Sequence, residues 1–240
     1  MRSGELTRRD LVLETRLVMI ALLAPWIIDA VLTLLMHATS NASLTQLPTY
    51  DAHQPVVNVV LGLLSYLPVA AVVPLALLLL ARTGQRPADL GLGLPRWRDL
   101  GVGIGLAAAG LACEFVLAVP FAHLKNSPLV NTSGPLHVPA YYLIFGLSQA
   151  LVTAIAEEVA VSGYLLTRLD QLGWSPWAAF WVSLALRTSY HVYYGFAIVL
   201  TLPLGFFVTR SFQKHGKLSR PILAHFLYDS TVFMLAILVH

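Results

Sequence analysis

An all-α, polytopic transmembrane helix bundle is the fold class this sequence predicts, and three observations predict it. The composition is 57% hydrophobic and only 11% charged, where a soluble domain carries about a quarter charged residues. The mean hydropathy is +0.73. Long apolar stretches recur along the 240 residues and are separated by short polar segments. A soluble globular domain, a disordered chain, a collagen and a coiled coil are excluded together, because none tolerates this density of uninterrupted apolar sequence.

A spanning helix needs roughly 20 mostly apolar residues. Seven stretches qualify or come close: 17–36, 56–81, 100–122, 140–166, 176–190, 192–209 and 221–239. The first reads as a retained helix, since its apolar run exceeds the roughly 7–15 residues of a secretory h-region. The second or the fourth is long enough to split, which would make the count eight. The fifth and sixth are short and nearly fused. Pro68, Pro74 and Pro203 read as kinks whose freed carbonyls find other donors, and Asp29 follows Pro25 closely enough to serve such a kink. In the third stretch Gly101, Gly105 and Ala109 form a small-residue stripe expected to admit a neighbouring helix. The Leu90–Pro95 segment is Gly-rich but lacks the strand-to-helix setting of a nucleotide loop. The whole chain, 1–240, reads as one integral-membrane domain.

Basic residues are unevenly spread. Arg2, Arg8, Arg9 and Arg16, then Arg82, Arg86, Arg96 and Arg98, then Arg168, then Arg210, Lys214, Lys217 and Arg220 alternate with segments holding Lys125 or no Lys or Arg. By the positive-inside tendency these segments face the cytoplasm, with the N-terminus inside a multi-pass protein of the cell membrane. The formal net charge of +3 is thereby spent on orientation, and no basic patch interleaved with exposed aromatics calls for nucleic acid. The single cysteine, Cys113, excludes an intramolecular disulfide and a CxxC metal knuckle.

Ionisable side chains inside apolar stretches are the functional candidates, because each costs about 2.5–3.5 kcal/mol near the bilayer centre. They are Asp29, Glu114, Glu157, Glu158, Arg187, His191, His225 and Asp229. Three local patterns emerge. Glu157 and Glu158 are adjacent, so on an α-helix they diverge by about 100° and one can face a shared site while the other faces a neighbour. Arg187 and His191 are four apart, as are His225 and Asp229, which puts each pair on one helix face. Two imidazoles with several carboxylates fit hydrolysis. Either a zinc ion held by Glu157, His191 and His225 keeps an open water position, or a metal-free glutamate activates the water. No Gly-x-Ser-x-Gly elbow and no HExxH motif is present. Glu114 can line the same site or bond a neighbouring helix. Tyr190, Tyr193 and Tyr194 fit substrate binding or an interfacial belt equally well.

These patterns, in this order on successive helices, resemble those of the CPBP family, the CAAX-protease and bacteriocin-processing (Abi) proteins. Its pattern is EExxxR, then FxxxH, then HxxxN or HxxxD, and the resemblance covers about residues 140–235, the expected catalytic core. It implies an intramembrane endopeptidase acting on a membrane-associated or lipidated peptide substrate from a cavity open to the cytoplasm. By resemblance Glu157 activates water with His191, His225 and Asp229 support the oxyanion, and Glu158 assists. Two positions depart: Ser162 stands where the family has arginine, and Arg187 where it has phenylalanine. We read this as a relocated guanidinium that pairs with Glu157 or Glu158 across the cavity and leaves Ser162 without a role. A non-catalytic scaffold or self-immunity protein of the same fold, and a proton-coupled transporter, are the alternatives. The transporter lacks support from an inverted repeat.

Overall fold

The computed structural model describes residues 7–39, 55–121 and 141–238, and among them every regular element is helical. In order these are α1 (Arg8–Thr39), α2 (Pro55–Ser65), α3 (Leu67–Ala81), α4 (Trp97–Ala118), α5 (Tyr141–Glu157), a π-helical segment (Glu158–Leu165), α6 (Leu166–Gln171), α7 (Pro176–Ser189), a 3-10 segment (Val192–Thr201), α8 (Leu202–His215) and α9 (Ser219–Leu238). Apolar side chains such as Ile20, Leu61, Ile104, Phe115 and Trp181 are exposed. Outward apolar faces of this kind belong to a bundle whose solvent is lipid. The protein is therefore a membrane protein.

The helices follow local rules. Ser175 caps α7 by accepting the Ala178 N–H at 3.2 Å, with Pro176 next in line; proline is tolerated there because its missing N–H would be unpaired anyway. Pro203 likewise sits in the first turn of α8, so it starts a helix rather than kinking one. Pro68 does the same for α3, and the 56–81 stretch accordingly breaks at Tyr66. The chain bends by 41° between Arg8–Ala24 and Trp26–Leu32, at Pro25. The expected single helix over 192–209 does not form. Gly195 adopts φ 57° and ψ −129°, a conformation open to glycine alone, and divides the 3-10 segment before α8 begins.

The number of spans differs from the sequence expectation. Among the described residues three runs are long and apolar enough to cross a membrane: Val60–Ala81, Trp97–Ala118 and Leu143–Gln171. A fourth is added if the bent pair in α1 counts as one. Helices α7 and α8 have 14 residues each, about 21 Å at 1.5 Å per residue, short of a hydrocarbon core roughly 30 Å thick. The loop with Lys125 lies outside the described residues.

Packing centres on the π-helical segment. Val159, Val161 and Tyr164 are buried against Val18 and Leu23 of α1 and Ala76 and Leu80 of α3. Helix α4 lies along α9 and α8. Its expected stripe of Gly101 and Gly105 faces open space; the small residues that admit neighbours are Gly103, Ala107 and Gly110, against Leu223, Tyr228 and Leu204. The basic segments meet at one end of the bundle. The Leu218 N–H donates to the Leu90 carbonyl at 2.9 Å, and Gly91, at φ 62°, leaves room for the Lys217 backbone that a side chain would strike. Asp99 pairs there with Arg220 at 2.7 Å and Lys217 at 3.5 Å.

Arg168, counted in the sequence among the basic segments, is fully buried, donating to Glu14 Oε1 at 2.7 Å, the Leu79 carbonyl at 2.6 Å, Thr83 Oγ1 at 2.7 Å and Gln171 Oε1 at 2.7 Å. Its guanidinium lies 5.2 Å from the centroid of the Tyr164 ring, and Tyr164 donates to the same Glu14 oxygen at 3.2 Å. One side chain thus ties α6 to the start of α1 and the end of α3. Arg168→Ala leaves Glu14 with Arg82 at 3.3 Å and Tyr164 at 3.2 Å and should cost about 1.5–3 kcal/mol, the worth of a hydrogen bond to a charged group. The check is the thermal unfolding midpoint in detergent. Arg168→Lys should recover only part, since an ammonium cannot serve four acceptors. An unchanged midpoint for the alanine variant would show the network to be idle.

Candidate active site

Adjacent glutamates diverge on a helix, yet here both meet the same cation, because the guanidinium of Arg187 reaches both. Helix α5 ends at Glu157 and the next eight residues form a π-helix, all of them buried. A π-turn is rare and usually marks a functional site. From this segment Glu157 and Glu158 both turn toward α7, where Arg187 is buried at 3% exposure.

Arg187 spans the pair. Its Nη1 lies 2.8 Å from Glu158 Oε1 and 3.3 Å from Glu157 Oε2, and its Nη2 donates to Glu158 Oε2 at 3.1 Å. The same Nη2 is 3.4 Å from Ser162 Oγ, which in turn donates to Glu158 Oε2 at 2.6 Å. The guanidinium absent from position 162 is therefore present beside it, supplied by α7. Ser162 does have a part: it bridges carboxylate and guanidinium. Gly205 of α8 makes the space, because a Cβ there would stand 3.0 Å from Arg187 Cδ and 2.8 Å from Leu184 Cδ1.

The two imidazoles occupy different settings. His225 is buried, with Nδ1 2.8 Å from Glu158 Oε1 and Nε2 3.3 Å from Asp229 Oδ2. The expected one-turn pairing of His225 and Asp229 on α9 is thus formed, while the side chain of Asp229 remains 32% exposed. The expected pairing of Arg187 and His191 on one helix face is not formed. Helix α7 stops at Ser189, and His191 has φ −104° and ψ 13°, outside helical geometry. Its ring stacks against Tyr194, centroids 5.9 Å apart, and its Nδ1 lies 3.4 Å from the Tyr193 hydroxyl.

A cavity of about 420 Å³ gathers these groups. Glu157, Arg187, His191, His225 and Asp229 line it, and Glu158 does not. Glu114 and Tyr228 line it too, joined by a hydrogen bond from the Tyr228 hydroxyl to Glu114 Oε2. Both readings of Glu114 therefore apply at once. The side chain of Asp29 lies outside the described ones. Tyr190 was offered by the sequence only as a substrate or interface group, but it is buried, donates to Glu157 Oε2 at 2.5 Å and packs edge-on to Trp26 at 5.3 Å. Its place one residue before His191 was the available signal.

A metal held by Glu157, His191 and His225 needs an unprotonated nitrogen from each imidazole. His225 has a carboxylate on each nitrogen and can satisfy both only by donating from both. Among the described residues no group of three or more His, Cys, Asp or Glu side chains is disposed to hold a metal ion. The zinc trio read from the sequence does not fit this arrangement.

Apolar side chains packed outward and ionisable side chains drawn inward around a cavity make a polar site enclosed within a membrane protein. Residues 139–231 match the family model described as type II CAAX prenyl endopeptidase Rce1-like, so the chain carries an Rce1-like domain, in agreement with the CPBP resemblance of its motifs. That domain belongs to a protease family. Neither the curated proteins nor the solved structures give a match.

Removing Arg187 leaves two buried carboxylates facing each other. Arg187→Ala should lower the unfolding midpoint and abolish activity, and Arg187→Lys should fold better yet stay far below native activity because it cannot bridge both partners. Ser162→Ala removes one bond to a charged group, about 1.5–3 kcal/mol. Thermal unfolding with a parallel activity assay separates the three, and a native-like Arg187→Ala would refute the bridging role.

Proposed function

We propose that this protein is an intramembrane endopeptidase whose hydrolytic water is activated by Glu157. One observation carries the reading: of the two glutamates, only Glu157 lines the cavity that His191 and His225 also line, while Glu158 is sealed behind it. The shared carboxylate pair thus divides into a group that meets substrate and a group that positions its neighbours.

The chemistry follows from the contacts. A water between Glu157 and His191 gives its proton to Glu157 as its oxygen attacks the amide carbon. Arg187 and Tyr190 fix the orientation of the Glu157 carboxylate at 3.3 Å and 2.5 Å. The developing oxyanion takes a hydrogen bond from His225. Of its two contacts, the one to Asp229 is the longer, 3.3 Å against 2.8 Å, so Nε2–H is the donor that substrate can claim. Asp229 balances the imidazole's charge and keeps the ring in place. Collapse of the tetrahedral carbon breaks the C–N bond, and the proton on Glu157 passes to the leaving amine.

The substrate is a membrane-associated or prenylated-type peptide, as the matched family's description names prenyl endopeptidases. The apolar part of the wall, with Leu200, Leu204, Val232 and Phe233, suits such a chain. The basic segments collected at one end support a cytoplasmic position for that end of a multi-pass bundle.

Glu157→Gln should lower cleavage of a prenylated reporter peptide in detergent by about 10²–10⁴-fold, the range of general-base catalysis, with the unfolding midpoint little changed. His191→Ala should do likewise. Cleavage that persists in Glu157→Gln would sink the assignment. Because His225 has both nitrogens engaged, cleavage should also survive dialysis against a zinc chelator. Stoichiometric zinc that is lost in both His191→Ala and His225→Ala would instead establish a metal centre.

A further inference from the structure

The cavity wall holds one charged side chain that this chemistry leaves unused. Glu114 projects from α4, held by the Tyr228 hydroxyl. Every other acid of the site has a cation against it: Arg187 touches Glu157 and Glu158, and His225 touches Glu158 and Asp229. Among the described residues Glu114 has no such partner, only a neutral hydroxyl. A carboxylate set in apolar surroundings without a counter-charge is costly to keep, and a cation delivered by the cavity's occupant would offset that cost.

The position of Glu114 says where such a cation must lie. One face of α9 lines the cavity through His225, Tyr228, Asp229, Val232 and Phe233. From His225 to Phe233 is about 12 Å along the axis, room for three or four residues of extended chain at about 3.3 Å each. Tyr228 is about 4.5 Å along α9 from His225, so a peptide whose scissile carbonyl sits at His225 passes Glu114 within two residues of the cut.

We propose that Glu114 is a specificity-determining residue that receives a lysine or arginine side chain located within two residues of the scissile bond. The inference rests on the endopeptidase reading for its link to cleavage, but it makes a separate claim about binding. Tyr228 is the positioning residue that aims the carboxylate.

The test uses prenylated reporter peptides that are identical except for Lys, Gln or Glu at each non-prenylated position within two residues of the scissile bond. Binding is measured on full-length Glu157→Gln protein in detergent, and kcat/KM on the native chain. At one position Lys should be favoured over Gln by about tenfold or more, the worth of a charge-assisted hydrogen bond, and Glu disfavoured. Adding Glu114→Gln should remove that preference, Glu114→Asp should retain it, and Tyr228→Phe, which keeps the carboxylate but no longer aims it, should weaken the preference without abolishing cleavage. A Lys preference that survives Glu114→Gln, an absence of preference in the native protein, or no binding of any peptide each overturns the proposal. Selective binding without any cleavage by the native chain would overturn the endopeptidase reading and leave Glu114 as a binding residue.

Discussion

The buried guanidinium of Arg187 is the interaction on which the rest of the site depends. Two neighbouring carboxylates in an apolar bundle repel each other and lose hydration together, so they persist only with a cation that reaches both. A guanidinium has the donors and the planar spread for this, and an ammonium does not. Arg187 uses both terminal nitrogens: one touches Glu157 and Glu158, the other Glu158 and Ser162. His225 then adds a second contact to Glu158. Satisfaction of nearly every polar atom is what makes such a network tolerable, since a half-satisfied one is worse than an apolar core.

The pair sits where α5 passes into the π-helical segment, Glu157 as the last residue of the one and Glu158 as the first of the other, and the spread of the guanidinium spans their divergence. The segment is held from outside by tight packing: Leu218 Cδ1 lies 2.8 Å from where a Cβ on Gly163 would stand, and Arg168 clamps the following turn to α1 and α3. Two arginines with entirely different partners therefore bracket the glutamate pair. One sets its charge balance, and the other fixes the helix that carries it.

Much of this was legible in the sequence, for definite reasons. The ionisable residues stood out because apolar sequence surrounds them, and the four-residue spacing of His225 and Asp229 survives in a regular helix. The displacement of arginine from 162 to 187 could be read as a relocation because charge must be conserved around a buried pair. The π-turn could not be read. Its eight residues are buried on every side, so the segment has no amphipathic period to betray its winding. The end of α7 was legible to within a residue, at 190 against Ser189, but His191 was still counted on its face, and only the non-helical backbone at His191 and the glycine at 195 reveal the break. The burial of Arg168 could not be read either, because a basic residue at a helix end looks the same in sequence whether it meets water or a glutamate 154 positions earlier.

The same constraint explains why identical side chains at 157 and 158 have different chemistry. Glu158 has Arg187, Ser162 and His225 around it and no surface left to offer; any proton or water exchanged there would have to displace a bond to a buried charge. Glu157 accepts from Arg187 and Tyr190 on a single oxygen, Oε2, and lines the cavity. Two donors on one oxygen orient the carboxylate while leaving its other oxygen to act as a base. Division of labour between the glutamates is thus a consequence of how the donors are distributed: three groups close Glu158 off, and two on one oxygen of Glu157 leave the other free.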